Sequence, residues 1–312
     1  MQIHHELTPI TAPCGSAVAL GYFDGVHCGH RAVLGAAAAC AAQNGLTAAA
    51  FTFELPGNST LKGGRILSLQ LKHTRIAEIG IEEYLEPPFE QFRSLSPEEF
   101  VQRVLVECFH AKAVFCGDNF TFGAKAAGDV PMLRKLCAPL GIQVNIVPMA
   151  QYQGQTVSST RIRAALESGD LDSANAMLGK PYCIDWPVTH GKGIGSGKLG
   201  TPTINQNYPA EAQQLCTGVY LTRIWLDGRW YPAATGIGRR PTVDSSANAA
   251  VTCETYVPDF CGNVYGQAPV LEFHKYLCPV RKFNSMQELA QLIHDAARES
   301  KKYFAALKGE SA

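Results

Sequence analysis

None of the 11 cysteines forms a CxxC pair, and Cys14, Cys28, Cys40 and Cys108 show no zinc-ligand spacing. Scattered thiols in odd number read as free cysteines of a reducing cytosol. Net charge is absent too: 27 Lys and Arg balance 27 Asp and Glu. Without a basic stripe or charge run, the electrostatic footprint of a nucleic-acid partner is missing. Charged residues make up only 17% of the chain, too few for wholesale disorder. There is no long apolar run. The most apolar stretch, Ala32 to Phe53, is mostly alanine and is broken by Gln43, Asn44 and Gly45. It falls short of the roughly 20 strongly apolar residues of a membrane span. Met1 to Pro13 shows no basic-then-apolar export pattern. The expectation is a soluble, cytoplasmic protein with neither nucleic acid nor membrane as partner.

What is present is 312 residues with 46% hydrophobic content, enough for two domains. The first half alternates short apolar runs with helical stretches. Ser16–Leu20, Thr47–Phe53, Ala113–Cys116 and Gln143–Pro148 read as strands. Gly29–Asn44 reads as a helix stopped by Asn44-Gly45, and Leu69–Ile79 as a second. Ser96-Pro97-Glu98-Glu99 opens a third, with serine as N-cap and proline in the first turn. Such alternation predicts a parallel sheet covered by helices. After about residue 180 the pattern changes to short runs: Cys183–Thr189, Gly218–Trp225, Trp230–Ala234, Ala249–Val257 and Pro269–Leu277. Turn residues, including Asp227-Gly228, separate them, which predicts a small antiparallel barrel. A last helix, Ser285–Ala306, closes the chain, and the boundary is expected near Gly179–Tyr182, dividing 1–180 from 181–312.

Two constellations carry chemistry. The first is Gly21-Tyr22-Phe23-Asp24-Gly25-Val26-His27-Cys28-Gly29-His30, between the first strand and the first long helix. A helix start at a strand's carboxyl end offers N–H groups and positive potential to phosphate. Gly25 and Gly29 allow the backbone to approach a ligand. His27 and His30, three apart, can share one face and donate to a transferring phosphoryl group. Its partner is Ser158-Ser159-Thr160-Arg161-Ile162-Arg163, where hydroxyls open a helix and two guanidinium groups can face a triphosphate. Taken alone, that serine-threonine run is a helix cap. With strand-turn-helix context at both ends of one sheet, the joint reading is a nucleotide site.

The second constellation runs from His190 to Asn205. Gly195, Gly197 and Gly200 satisfy GxGxxG, but Pro202 and Pro209 deny the helix that a dinucleotide site needs. A Walker loop fails as well, since Lys198 is followed by Leu199. What remains is a glycine-rich loop able to surround phosphates, then Pro202-Thr203-Ile204-Asn205, whose side-chain oxygens suit Mg²⁺. A glycine hairpin with a turn proline is the plain alternative.

These strings resemble a known family. GxFDGxHxGH with a later SSTxIR resembles the adenylyltransferase module of bacterial bifunctional riboflavin kinase/FAD synthetases. Phe115 to Gly123 resembles that family's strand-end motif beside the flavin, and Leu95 to Phe100 matches a further segment. The loop with PTxN resembles its kinase motif. Gly218-Val219-Tyr220, Gly238 to Thr242, Cys253 to Tyr256, Asp259-Phe260, Tyr265-Gly266 and Lys282-Phe283 follow in family order. The resemblance spans about Val18 to Phe304.

The fold it implies is a nucleotidyltransferase-type α/β parallel-sheet domain followed by a small antiparallel β-barrel riboflavin kinase domain with a C-terminal helix. It implies that His27 and His30 stabilise the transferred AMP phosphate. ATP would lie along Gly21, Phe23, Asp24, Gly29, Ser159, Thr160, Arg161 and Arg163. Asn119, Phe120 and Phe122 would meet the flavin, with Asn119 reaching phosphate or metal. In the kinase, Gly191, Gly193, Gly195 and Thr203 would hold ATP, Thr203 and Asn205 would hold Mg²⁺, and Glu254 would be the general base. The implied ligands are riboflavin, FMN, FAD and ATP. This chain departs from the family at several points. Thr52 to Gly57 contains no histidine, and Ser196-Gly197 stands where one arginine is usual. Thr201, Gly236 and Cys278 replace a usual phenylalanine, asparagine and arginine. The alternatives are an FAD synthetase with a weak kinase barrel and a flavin-binding protein without turnover.

Overall fold

The computed structural model describes residues 1–55, 63–190, 203–239, 251–279 and 286–309. The chain forms two compact units, Met1–Ser159 and Thr160–Ala312.

In the first unit, strands β1 (Gln2–His4), β2 (Ser16–Leu20), β3 (Thr47–Phe51), β4 (Glu83–Leu85), β5 (Ala111–Gly117) and β6 (Gln143–Val147) form one sheet in the order β1-β4-β3-β2-β5-β6. Every pairing is parallel. Helix α1 (Cys28–Asn44) follows β2 and packs on β2 and β3. Both the helix and β3 are rich in alanine, so the backbones approach closely without large side chains between them. Gly45 ends α1 with φ 64°, its N–H bonded to the Ala41 carbonyl. Helix α2 (Leu69–Ala77) is capped by Ser68, whose hydroxyl accepts from Leu71 N at 3.0 Å. Helix α3 (Pro97–Phe100) starts in a full capping box: Glu99 N donates to Ser96 Oγ at 3.1 Å and Ser96 N to Glu99 Oε2 at 2.8 Å. It runs on as a wider π-helical stretch over Val101–Cys108. Helix α4 (Val130–Cys137) precedes β6. A small hairpin, β7 (Gln151–Tyr152) with β8 (Gln155–Thr156), leads to the SST run. The core on one side of the sheet gathers Val18, Leu20, Phe51, Phe100, Leu105, Phe109 and Leu133, all buried.

The second unit opens with helices α5 (Ser159–Ser168) and α6 (Leu171–Leu178). Strands β9 (Tyr182–Ile184), β10 (Val188–Thr189), β11 (Thr203–Asn207), β12 (Gly218–Leu226), β13 (Arg229–Arg239), β14 (Val251–Tyr256) and β15 (Leu271–Pro279) form an antiparallel half-barrel in the order β10-β11-β14-β13-β12-β15-β9. The β12–β13 turn is the expected Asp227-Gly228, both with positive φ (48° and 77°). Inside, Thr222, Thr235 and Thr255 are fully buried and hydrogen-bond in a row at 2.8 and 2.9 Å, which satisfies each hydroxyl without water. Helix α7 (Met286–Gly309) covers the opposite face, its Ala296 and Ala297 packed on Ala234 and Tyr256.

Strands β1 and β4 are three residues each, too short for alternation to show in the sequence. Thr203–Asn207, to which the sequence reading gave no element, is a strand paired with β10 and β14. Helix α6 packs on β9 and β15.

Candidate active sites

Chain order places β2, β3 and β4 on one side and β5 and β6 on the other, so the topological switch lies between the neighbours β2 and β5. Ligands of open parallel sheets bind outside the strand ends at this point. Gly21–His30 leaves the end of β2, and Asp118-Asn119 leaves the end of β5.

The turn after β2 is strained. Phe23, Gly25 and Val26 all have positive φ (55°, 81° and 44°). For a phenylalanine and a β-branched valine this costs on the order of 1–3 kcal/mol each and needs support from the surroundings. That support is visible. Asp24 is buried and its Oδ1 accepts from Ile66 N at 3.2 Å. Phe23 and Val26 are buried in the core. The Ser159 hydroxyl donates to the Asp24 carbonyl at 3.0 Å, across 135 residues of sequence.

His27 is the N-cap of α1: its Nδ1 accepts from His30 N at 3.3 Å. In the neutral ring this places the proton on Nε2, which is left as the donor. The His27 and His30 rings stack at 3.6 Å and 17°. Gly29 makes this possible, since a Cβ there would stand 3.2 Å from His27 Cε1. Burial pushes His27 down to about 4. His30 is also lowered, by burial first and then by the neighbouring His27 and Lys72. Two stacked imidazoles cannot both carry charge cheaply, so the pair rests neutral at physiological pH. His30 Nδ1 is buried with no hydrogen-bond partner among the described residues.

Thr160, Arg161 and Arg163 lie in the first turns of α5, with Arg163 buried. At the end of β5, Asn119 is exposed and Phe120 is half-buried. Phe120 stacks on Phe122 at 5.9 Å, and Phe122 is buried against Phe100. Phe122 thus backs Phe120 from within the core.

In the second unit, Asn205 on β11 lies directly opposite Glu254 on β14, and Gly236 on β13 lies opposite Glu254 on its other side. Directly paired residues point to the same face, as do Thr203 and Asn205 two apart. Thr203, Asn205 and Glu254 therefore share one patch, all half-buried. Asn205 Nδ2 donates to the Thr203 carbonyl at 3.2 Å, which turns Oδ1 away as an acceptor. Among the described residues, a Cβ on Gly236 would meet only the Glu254 carbonyl, at 3.9 Å. Tyr256, one position along this face, lines a cleft of about 370 Å³ with His294, Arg298 and Lys301 of α7. Gly191, Gly193 and Gly195 lie outside the described residues, as do Arg240 to Thr242 and Lys282-Phe283.

Sequence reasoning missed one cluster. Lys72 on α2 is buried, with Nζ 2.7 Å from Glu86 Oε1, and Glu86 is fully buried. His73 Nε2 lies 2.7 Å from Glu86 Oε2, and Tyr84 OH donates to Oε1 at 3.1 Å. Burial alone would raise the Glu86 carboxyl, but His73 and Lys72 outweigh it and hold it at about 2. The one hint in the sequence was a glutamate directly after a buried strand.

A strained strand-to-helix turn with a stacked histidine pair, joined to a half-barrel bearing an amide, a hydroxyl and a carboxylate on one face, defines a transferase with two nucleotide-using centres. Comparison with known proteins agrees. Residues 10–161 match the FAD synthetase family model and residues 178–304 the riboflavin kinase model. The chain is 34% identical to the bifunctional riboflavin kinase/FMN adenylyltransferase of Bacillus subtilis, covering 94% of each chain. With the Pseudomonas fluorescens protein of the same name it shares 33%, covering 93% of each. A crystal structure described as a macrolide-efflux protein from Streptococcus pneumoniae superposes with a TM-score of 0.84 at 26% identity, covering 96% of this chain and 98% of that one. The chain belongs to the bifunctional riboflavin kinase/FMN adenylyltransferase family.

Proposed function

We propose that the protein phosphorylates riboflavin to FMN at the half-barrel and adenylylates FMN to FAD at the parallel sheet. The observation that carries the second step is the Ser159–Asp24 hydrogen bond, which seats Ser159 against the histidine turn. Adenylyl transfer is attack by the FMN phosphate on the α-phosphorus of ATP, with pyrophosphate leaving. Charge develops on the α-phosphate oxygens, and neutral imidazole N–H donors of His27 and His30 are suited to it. Their low proton affinity keeps them neutral donors that do not transfer a proton. Asn119 and Phe120, at the neighbouring strand end, are placed for FMN. Thr160, Arg161 and Arg163 supply hydroxyl and charge to the triphosphate.

For the first step, Glu254 takes the proton of the ribityl hydroxyl as that oxygen attacks the γ-phosphorus of a second ATP, and the bond to the bridging oxygen breaks with ADP leaving. Thr203 and Asn205 present hard oxygens beside it, a donor set that fits Mg²⁺. When bound, the ion neutralises charge on the phosphate oxygens. We assign residues 1–180 to FAD formation and 181–312 to FMN formation. We also place the protein in the cytoplasm. That reading is supported by the free cysteines. No helix among the described residues is long and apolar enough to cross a membrane.

Purified protein with riboflavin, ATP and Mg²⁺, products separated by chromatography, tests the scheme. FMN and FAD together support it. FAD formed only from supplied FMN reduces the half-barrel to a flavin site, and unchanged riboflavin and FMN overturn both steps.

A further inference from the structure

The Asn205–Glu254–Gly236 row has a polar counterpart on the other side of the same strands. Side chains alternate along a strand, so Thr255 and Thr235, the chain neighbours of Glu254 and Gly236, face away from the row. Thr255 and Thr235 stand directly opposite each other, and their hydroxyls lie 2.9 Å apart. Thr222 of β12 reaches Thr235 on a diagonal, at 2.8 Å. All three are fully buried. The Thr222 carbonyl accepts from the hydroxyl of Ser300 on α7 at 3.0 Å, and Ser300 is fully buried as well. On β11, Asn205 is followed by the buried Gln206, whose Nε2 donates to the Trp186 carbonyl at 2.8 Å and to the Pro269 carbonyl at 3.1 Å. Asn205, Glu254 and Gly236 thus each have a chain neighbour fixed by directional bonds inside the half-barrel.

Stability alone does not call for hydroxyls at these positions. Valine has nearly the shape of threonine, suits a strand as well and buries without a polar group to satisfy. What the hydroxyls add is direction, since an apolar contact tolerates a small slide and a hydrogen bond does not. A slip of one residue between strands would turn Glu254 to the other face. We propose that Thr222, Thr235 and Thr255 are positioning residues for riboflavin phosphorylation: their hydroxyl row fixes β12, β13 and β14 against one another and so holds the Glu254 carboxylate in line with Asn205. This rests on the reading that Glu254 is the base of FMN formation.

The threonines act through Glu254 and touch no substrate. A base must lie within hydrogen-bond reach, about 2.6–3.2 Å, of the hydroxyl that it deprotonates. A small displacement of the carboxylate therefore slows proton removal, while the binding of riboflavin and ATP, set by other contacts, stays in place. Thr255 is the central member, because it adjoins Glu254 in the chain and bonds directly across to β13. Ser300 joins α7 to the same arrangement through the Thr222 carbonyl.

The test is the steady-state kinetics of riboflavin phosphorylation, with urea unfolding and FAD formation from supplied FMN measured on the same preparations. Thr222→Val/Thr235→Val/Thr255→Val removes the hydroxyls together, so that no member of the row is left without its partner. Expected is a urea midpoint at or above the parent's, a kcat for FMN formation lowered about tenfold, riboflavin and ATP KM values within about twofold, and FAD formation unchanged. Thr255→Val alone lowers kcat as well, whereas Thr255→Ser, which keeps the hydroxyl, retains the parent kcat. Ile224→Val, a change at a fully buried position of β12, lowers the midpoint and leaves kcat alone. A parent kcat in the triple variant overturns the proposal, as does an equal kcat loss in Ile224→Val. If the triple variant does not fold, the Thr255 pair decides: equal kcat losses in Thr255→Ser and Thr255→Val overturn it. Glu254→Gln separates the two readings. FMN formation surviving that change defeats the base assignment itself, whereas its loss with a parent kcat in the threonine variants defeats only the positioning role.

Discussion

Asn205 and Glu254 stand directly opposite each other on β11 and β14, with the side-chain-free Gly236 completing the row on β13. In the proposed scheme the Glu254 carboxylate is the general base of FMN formation. Glu254→Gln keeps the size of the side chain and removes the base. FMN formation is expected to fall by about 10²- to 10⁴-fold, with FAD formation from supplied FMN unchanged. Chromatographic rates of the two steps decide it, and undiminished FMN formation would remove Glu254 from the mechanism.

Gly236 yields a steric prediction. Among the described residues a Cβ there meets nothing closer than 3.9 Å, so Gly236→Ala retains fold and activity. Gly236→Phe sets a large ring in the row with Glu254 and is expected to raise the riboflavin KM by about tenfold or more. Equal KM values in the two variants would place the flavin elsewhere.

Gly29 is tighter. Its added Cβ stands 3.2 Å from His27 Cε1 and 3.3 Å from Nδ1, so the ring must give by a few tenths of an ångström. Gly29→Ala is expected to slow FAD formation by about 10- to 100-fold with FMN formation intact. Steady-state kinetics of both steps on one preparation checks this.

Ser159→Ala removes the hydroxyl bonded to the Asp24 carbonyl. Stability falls by about 1 kcal/mol, read as a shift in urea midpoint, and the ATP KM of FAD formation rises. A stability loss with no change in that KM would make the contact purely structural.

Acid should weaken the fold in two windows. His27 is lowered from 6.5 to about 4, so between these values the unfolded chain binds a proton that the folded one refuses. Stability is then lost as pH falls through that range, by on the order of 3 kcal/mol at its end. Glu86 is lowered from 4.5 to about 2, and its contribution, present above 4.5, fades as pH falls toward 2. Urea unfolding of the parent and of His27→Gln across the upper window tests the first part: the gap between them narrows on acidification. A constant gap would mean His27 titrates alike in both states.

Much of this protein is legible along the chain, and the rest is not, for one physical reason. Helix caps, the Asp227-Gly228 hairpin, the apolar β2 and the histidine turn depend on residues within a few positions, so local pattern reveals them. The same holds for PTxN as a motif. That Thr203–Asn207 forms a strand was hidden, because pairing with β10 and β14 makes it extended and sets Asn205 against Glu254. Strands β1 and β4 owe their existence to neighbours in the sheet. The burial of Lys72 and Glu86 is likewise decided by tertiary packing, since neither charge could leave water without the other. Residue types and their spacing name the chemistry; which of them meet, at what distance and in what protonation state, is set by contacts between parts of the chain as far apart as Asp24 and Ser159.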